Sequence, residues 1–150
     1  MTAYYFEEYS EGKVIATPGR TITEADIVNF AGFTGDWAQM HTNEEFSKGA
    51  FFGRRIAHGA LTFAVSTGLV VRSGALSDET TIGFYGVDQL RYLKPVSIGD
   101  TIRCEIQVLG KQDKGKNGVV DLGIKILNHR DEEVAVYNMK ILSKKRNESG

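Results

Sequence analysis

Two periods of hydrophobic spacing divide the chain. In the second half, apolar residues recur at every other position. Ile102, Cys104, Ile106 and Val108 alternate with Arg103, Glu105 and Gln107. Leu122, Ile124 and Ile126 alternate with Asp121, Gly123 and Lys125, and Ala135, Tyr137, Met139 and Ile141 with Val136, Asn138 and Lys140. A period of two with one polar face predicts half-buried antiparallel strands. Thr81 to Leu93 reads as a further strand, joined to the next by Lys94-Pro95 and Ser97-Ile98-Gly99-Asp100. The remaining turns are expected over 110–118 and 128–132, where Gly, Asn, Asp and Lys collect.

The first half follows a helical period. Thr23 precedes Glu24 and Asp26, which predicts an N-cap followed by an acidic first turn. Ile27, Phe30 and Ala31 then form an apolar stripe, and Gly32 and Gly35 end it. Thr42-Asn43-Glu44-Glu45 fits the S/T-x-x-E capping box and predicts a short helix over about 43–48. From His58 to Val71 the apolar residues cover most of the helical circumference, and the polar ones, Thr62, Ser66 and Thr67, are small. A helix apolar nearly all round belongs in a core. At 1.5 Å per residue it runs about 20 Å, right for the axis of a small domain. The expectation is one α+β domain over residues 1–150, with a curved antiparallel sheet wrapped around a central buried helix.

Composition narrows the function. The 150 residues are 41% hydrophobic and 25% charged, ordinary for a globular chain. Eighteen Lys and Arg against nineteen Asp and Glu leave a formal charge of -1, without the basic excess of a nucleic-acid binder. The lone Cys104 excludes an internal disulfide and a Cys-rich zinc site. Neither a secretory leader nor an 18-residue apolar run is visible, so a cytoplasmic protein that does not enter a membrane is expected. The polar tail over 143–150 reads as a frayed terminus.

Three histidines are present. His129 lies in the Asn128-His129-Arg130-Asp131 turn and reads as solvated. Asp36 and His41 stand five residues apart between two short helices. A carboxylate and an imidazole across such a loop can converge on one water and share acid–base work. The same spacing also suits a turn aspartate and a helix-flanking histidine. His58-Gly59 opens the apolar helix. Its first N–H groups lack partners within the helix, and glycine lets a ligand come close, so a carbonyl oxygen there would be polarised. Equally, Gly59 suits a packing gap and His58 an N-terminal cap. No H-E-x-x-H or Cys/His cluster supports a metal site at Asp36, His41 and His58, and none is expected.

Taken together, four ordered motifs resemble the MaoC-like family of hot-dog-fold dehydratases and hydratases, which includes the (R)-specific enoyl-CoA hydratases. They are Gly19-Arg20-Thr21-Ile22-Thr23-Glu24-Ala25-Asp26, Phe33-Thr34-Gly35-Asp36-Trp37-Ala38-Gln39-Met40-His41-Thr42, Phe52-Gly53-Arg54-Arg55-Ile56-Ala57-His58-Gly59, and Leu90 to Val96 with Gly99-Asp100-Thr101. The hydratase loop is usually written Gly-Asp-x-Asn-Pro-x-His. Here Ala38 and Gln39 stand at the Asn and Pro positions.

The resemblance implies a hot-dog fold and a hydro-lyase of fatty acid metabolism acting on an acyl-CoA thioester. It also implies catalytic Asp36 and His41 and an oxyanion-binding Gly59. A supporting hydroxyl on the central helix falls on Thr67, with His58 beside the pair. Coenzyme A would be part of the substrate, and no separate cofactor is expected. A homodimer or dimer of dimers is implied, with no nucleic-acid or membrane partner. The competing expectations are an acyl-CoA thioesterase on the same fold and a non-catalytic acyl-CoA-binding module. Arg54, Arg55, Arg91 and Lys94 are read either as contacts to coenzyme A phosphates or as solvated surface charges. Acyl chain length and branching are not encoded legibly.

Overall fold

A computed structural model describes residues 4–146. A short 3-10 turn (Phe6–Glu8) is followed by β1 (Val14–Ala16) and β2 (Arg20–Thr21). Next come α1 (Glu24–Thr34), α2 (Gln39–Thr42), α3 (Glu44–Lys48) and α4 (Gly59–Arg72). Four long strands complete the chain: β3 (Thr81–Tyr92), β4 (Thr101–Asp113), β5 (Asn117–Leu127) and β6 (Glu133–Lys144).

The sheet runs β1-β4-β5-β6-β3, with β2 pairing to the same strand, β4, as β1 does. Every pairing is antiparallel. The alternating residues face one core: Ile102, Cys104, Ile106 and Val108 on β4, Leu122, Ile124 and Ile126 on β5, and Ala135, Tyr137, Met139 and Ile141 on β6 are all buried. The layout is the hot-dog form of α+β, a sheet curved about α4.

α4 is not buried all round. Leu61, Thr62, Ser66, Leu69 and Val70 face the core. Ala60, Ala64, Gly68 and Val71 form an exposed stripe on the opposite side. The sheet covers one side of the helix only, and side chains this small offer little surface to bury within one chain. At the buried face the Ser66 hydroxyl donates to Phe63 O at 2.6 Å and meets Tyr137 Oη at 2.9 Å. Burial pushes the Cys104 thiol up to about 12 and raises the Tyr137 phenol as well.

Several boundaries differ from the expectation. The hairpin turn narrows to 114–116, because β4 and β5 pair out to Asp113 and Gly118. The polar tail is not frayed at its start: Ser143 and Lys144 belong to β6, and Ser143 is fully buried. Residues 147–150 of that tail lie outside the described residues. α3 is capped by Asn43, whose side chain accepts from Phe46 N at 3.0 Å. Thr42 instead closes α2, donating to Trp37 O and Ala38 O. β1 and β2 are additions, held by Thr17, whose hydroxyl accepts from Cys104 N at 2.8 Å. Among the described residues no helix is long and apolar enough to cross a membrane.

Candidate active site

The site segment begins where α1 stops. Thr23 caps that helix in a reciprocal box with Asp26, and Gly35 ends it at φ 78°, a left-handed turn that suits glycine. The reversal delivers Asp36. Its backbone N–H donates to Thr34 Oγ1, and its Oδ1 accepts from Ala38 N. The rest of the carboxylate is half-exposed.

α2 then turns His41 inward, where it is 7% exposed. The His41 Nδ1–H donates to Ile56 O at 2.7 Å, which leaves Nε2 as the nitrogen free to exchange a proton. Ile56 is itself fixed, its N–H donating to Met40 O and its backbone bridging to Ser97. Arg55, one residue earlier, grips Glu44 at 2.6 Å and Glu24 at 2.7 Å, tying α1, α3 and the loop before α4 together.

His58 joins the two halves. Its Nε2–H donates to Asp36 O at 2.9 Å, and its ring stacks on His41 with centroids 3.9 Å apart and planes 29° apart. Phe30 covers another side, at 4.9 Å. That bond assigns the bare nitrogen to Nδ1, which is buried and meets no partner among the described residues. His58 makes no side-chain capping bond to α4. Its contacts serve the Asp36 loop and the His41 ring instead.

One carboxylate oxygen of Asp36 and one ring nitrogen each of His41 and His58 lie within 4.8 Å of one another. Two histidines and a carboxylate are a familiar donor set for zinc. The ring stack argues against such use here. Imidazole lone pairs lie in the ring plane, and two nearly parallel planes do not converge on one ion at bonding distance. The arrangement suits proton exchange better than coordination.

Beside this trio opens a mostly apolar cavity of about 580 Å³, lined in part by Met40, His41, Ile56, Gly59, Thr62 and Tyr92. His41 and Gly59 therefore share one cavity. Asp36 does not line it; one of its carboxylate oxygens lies within 4.8 Å of a ring nitrogen of His41, which does. Among the described residues no acceptor meets the N–H groups of Gly59, Ala60 or Leu61. The positive end of the α4 dipole thus faces this space.

Thr67 is placed elsewhere. Its hydroxyl donates to Ala64 O at 2.7 Å, and it lines a separate apolar groove with Phe63, Gly68, Phe84 and Met139. The hydroxyls that do reach the cavity belong to Thr62, which is buried, and Tyr92, which is half-exposed. Neither was legible as a site residue. Thr62 had one usable signal: three residues past Gly59, it lies on the next turn of the same helix face.

The cationic candidates separate as well. Arg55 is committed to its two glutamates. Lys94 pairs with Glu132 at 2.9 Å, and Asn128 and then Lys94 hold that carboxyl down at about 2. Arg54 and Arg91 have no acidic partner among the described residues.

A hot-dog domain whose apolar cavity is lined by an imidazole, with a carboxylate beside that ring and an open helix N-terminus at the cavity wall, is the class that fold and site define. Residues 6–129 match the MaoC like domain, and the chain belongs to that family. It is 40% identical over 102 residues to protein MaoC of Klebsiella aerogenes, covering 68% of this chain but only 30% of that larger protein. It is 36% identical over 110 residues to an (R)-specific enoyl-CoA hydratase of Rhodospirillum rubrum, covering 73% of each. The solved structure of a monoamine oxidase regulatory protein from Archaeoglobus fulgius superposes with a TM-score of 0.88 at 37% identity, over 95% of both chains.

Proposed function

We propose that this chain adds water across the 2,3 double bond of a 2-enoyl thioester of coenzyme A, and eliminates it in reverse from the 3-hydroxyacyl thioester. The observation that carries the reading is the shared cavity. His41, oriented by Ile56 O and with one ring nitrogen within 4.8 Å of an Asp36 carboxylate oxygen, lines one part of it, while the N–H of Gly59, unmet among the described residues, stands at another.

The thioester carbonyl accepts from the Gly59 N–H, which draws electron density from C3. Asp36 and His41 hold one water against C3. One of them takes a proton as the oxygen–carbon bond forms. The π electrons pass toward the carbonyl oxygen, and the other group delivers a proton to C2 as they return. One water is consumed, the π bond becomes C–O and C–H bonds, and no electrons enter or leave, so the reaction as proposed needs no redox cofactor. His58 positions both partners, one through its bond to Asp36 O and the other through its stack on His41. Thr67, bonded within its own helix, is assigned no part in the chemistry. Arg54 and Arg91 are the cations left to meet phosphates.

The proposal extends to a homodimer. The exposed Ala60, Ala64, Gly68 and Val71 stripe lies on α4, and β3 is a sheet edge carrying exposed Ile82, Phe84 and Tyr85. A long apolar edge left open is a liability that pairing removes. Light scattering at micromolar concentration is expected to give twice the chain mass or more. A monomer with full activity would contradict this part.

The test of function is turnover on a panel of 2-enoyl-CoA thioesters, short, long, branched and dicarboxylic, read as loss of enoyl absorbance together with free thiol. Enoyl loss without thiol release is expected. Thiol release in step with substrate loss would make the chain a thioesterase, and binding without turnover a carrier module.

A further inference from the structure

We propose that the Tyr92 hydroxyl is a second hydrogen-bond donor to the thioester carbonyl oxygen, acting beside the Gly59 N–H. The assignment rests on the hydratase reading of the cavity and goes past it in naming a catalytic residue.

Position carries the argument. A Cβ built on Gly59 would meet Tyr92 Cζ at 2.9 Å and both Cε atoms at 3.1 Å. Those are the ring atoms at the hydroxyl end, so the phenol tip stands directly over the start of α4. Its hydroxyl has no hydrogen-bond partner among the described residues. The residue is 49% exposed and lines the cavity with His41 and Gly59. The other long polar side chain there, Lys94, is occupied by Glu132.

The backbone holds the ring in place. Three residues upstream, Gln89 sits at φ 54°, where β3 shifts register against β6 between Asp88 and Arg91. A bulge of this kind re-aims the side chains that follow it. Just downstream, Leu93 N and Lys94 N both donate to Val134 O. Tyr92 is thus fixed between an irregular strand segment and a double backbone anchor. A ring needed only as a wall would be served equally by phenylalanine; tyrosine adds a hydroxyl without a partner among the described residues, on a ring packed against the residue that opens α4. Burial also raises the phenol's pKa, so the hydroxyl stays protonated and donates at neutral pH.

The carbonyl oxygen gains negative charge as the water oxygen bonds to C3, and loses it as C2 takes its proton. A donor at that oxygen strengthens as the charge develops, so its loss falls on kcat more than on KM.

The experiment compares Tyr92→Phe with Tyr92→Ala on a 2-enoyl-CoA that the native chain turns over. Tyr92→Phe should lose roughly 10²-fold in kcat, the scale of one lost oxyanion donor, with KM changed little and melting unchanged. Tyr92→Ala should lose a similar factor in kcat and in addition raise KM, since the ring is gone too. Infrared spectra of a bound saturated acyl-CoA give a second readout: the thioester carbonyl stretch should move to higher frequency in Tyr92→Phe. A Tyr92→Phe protein within twofold of native kcat, with an unmoved carbonyl band, overturns the assignment and leaves Tyr92 a wall. A native chain inactive on every enoyl thioester overturns the hydratase reading and this assignment with it.

Discussion

The three strands β4, β5 and β6 and the segment between α1 and α4 are built by opposite rules. In the strands, alternation decides everything. Apart from Ser143, the buried side chains that alternate along them are apolar, and neighbouring strands pair along nearly their whole length. In the segment over 35–58, buried polar groups set the geometry. His41 and His58 are both buried, each holds a backbone carbonyl, and the two rings stack. Polar burial costs free energy unless it is matched by hydrogen bonds, and among the described residues nothing meets His58 Nδ1. The contrast separates a part held by apolar packing from a part held by buried polar contacts.

The sharpest break between the two comes from the acid–base pair. Asp36→Asn and His41→Ala should each lower turnover by ~10²–10⁴-fold, measured in steady-state hydration assays. The double variant should be little worse than the worse single one, because both groups are proposed to act on one water. Asp36→Asn should melt close to the native chain, since the carboxylate is half-exposed. Near-native hydration by that folded variant would remove Asp36 from the chemistry.

A strand substitution should do the reverse. Leu122 is fully buried between β4 and β6, and Leu122→Ala should cost ~2–5 kcal/mol in denaturant unfolding. Activity below the new transition should stay near native. Lost turnover in a still-folded Leu122→Ala chain would mean that the strands shape the site more directly than the contrast allows.

Gly59→Ala lies where the regions meet. Alanine favours a helix by up to ~1 kcal/mol over glycine. Here the new methyl would stand 2.9 Å from the Tyr92 ring and displace it. The gain should therefore be hidden in the native background and emerge in a Tyr92→Ala background, as a rise in melting temperature on adding Gly59→Ala. Additive effects of the two substitutions would show that ring and glycine do not meet.

The smallest effect concerns Cys104. With burial holding its thiol at about 12, the folded chain presents no thiolate at pH 8 and should not react with a disulfide reagent. Reaction should appear only on unfolding. Prompt labelling of the native chain would show that the β4 core opens far more readily than its packing suggests.

Much of this was legible in sequence because β4, β5 and β6 carry a strong period of two and α4 a long apolar run. β1 and β2 carry none: at three and two residues, with Val14 and Ala16 exposed, they have no alternation to read. α2 is four residues long, too short for a helical stripe. The one-sided burial of α4 was hidden because small residues read as apolar whether or not anything covers them. Asp36, His41 and Gly59 came from motif spacing; His41 and Gly59 line one cavity, and Asp36 stands beside His41 outside its lining. The Thr67 assignment used the same kind of spacing and did not reach that cavity. Eight residues beyond Gly59 is about 12 Å along the helix, where Thr67 lines a different groove. Tyr92 was invisible because its contact with Gly59 joins a strand end to a helix start 33 positions away in the chain.

The hydratase reading requires that water be added at C3 while the thioester survives. It is tested most directly by turnover of a 2-enoyl-CoA in water carrying heavy oxygen, with products read by mass spectrometry. The account predicts one heavy oxygen on C3 of an intact 3-hydroxyacyl-CoA, with label entry slowed in Asp36→Asn and His41→Ala. Heavy oxygen in a free carboxylate, with coenzyme A released, would contradict it, and so would an enoyl-CoA recovered unlabelled and unchanged.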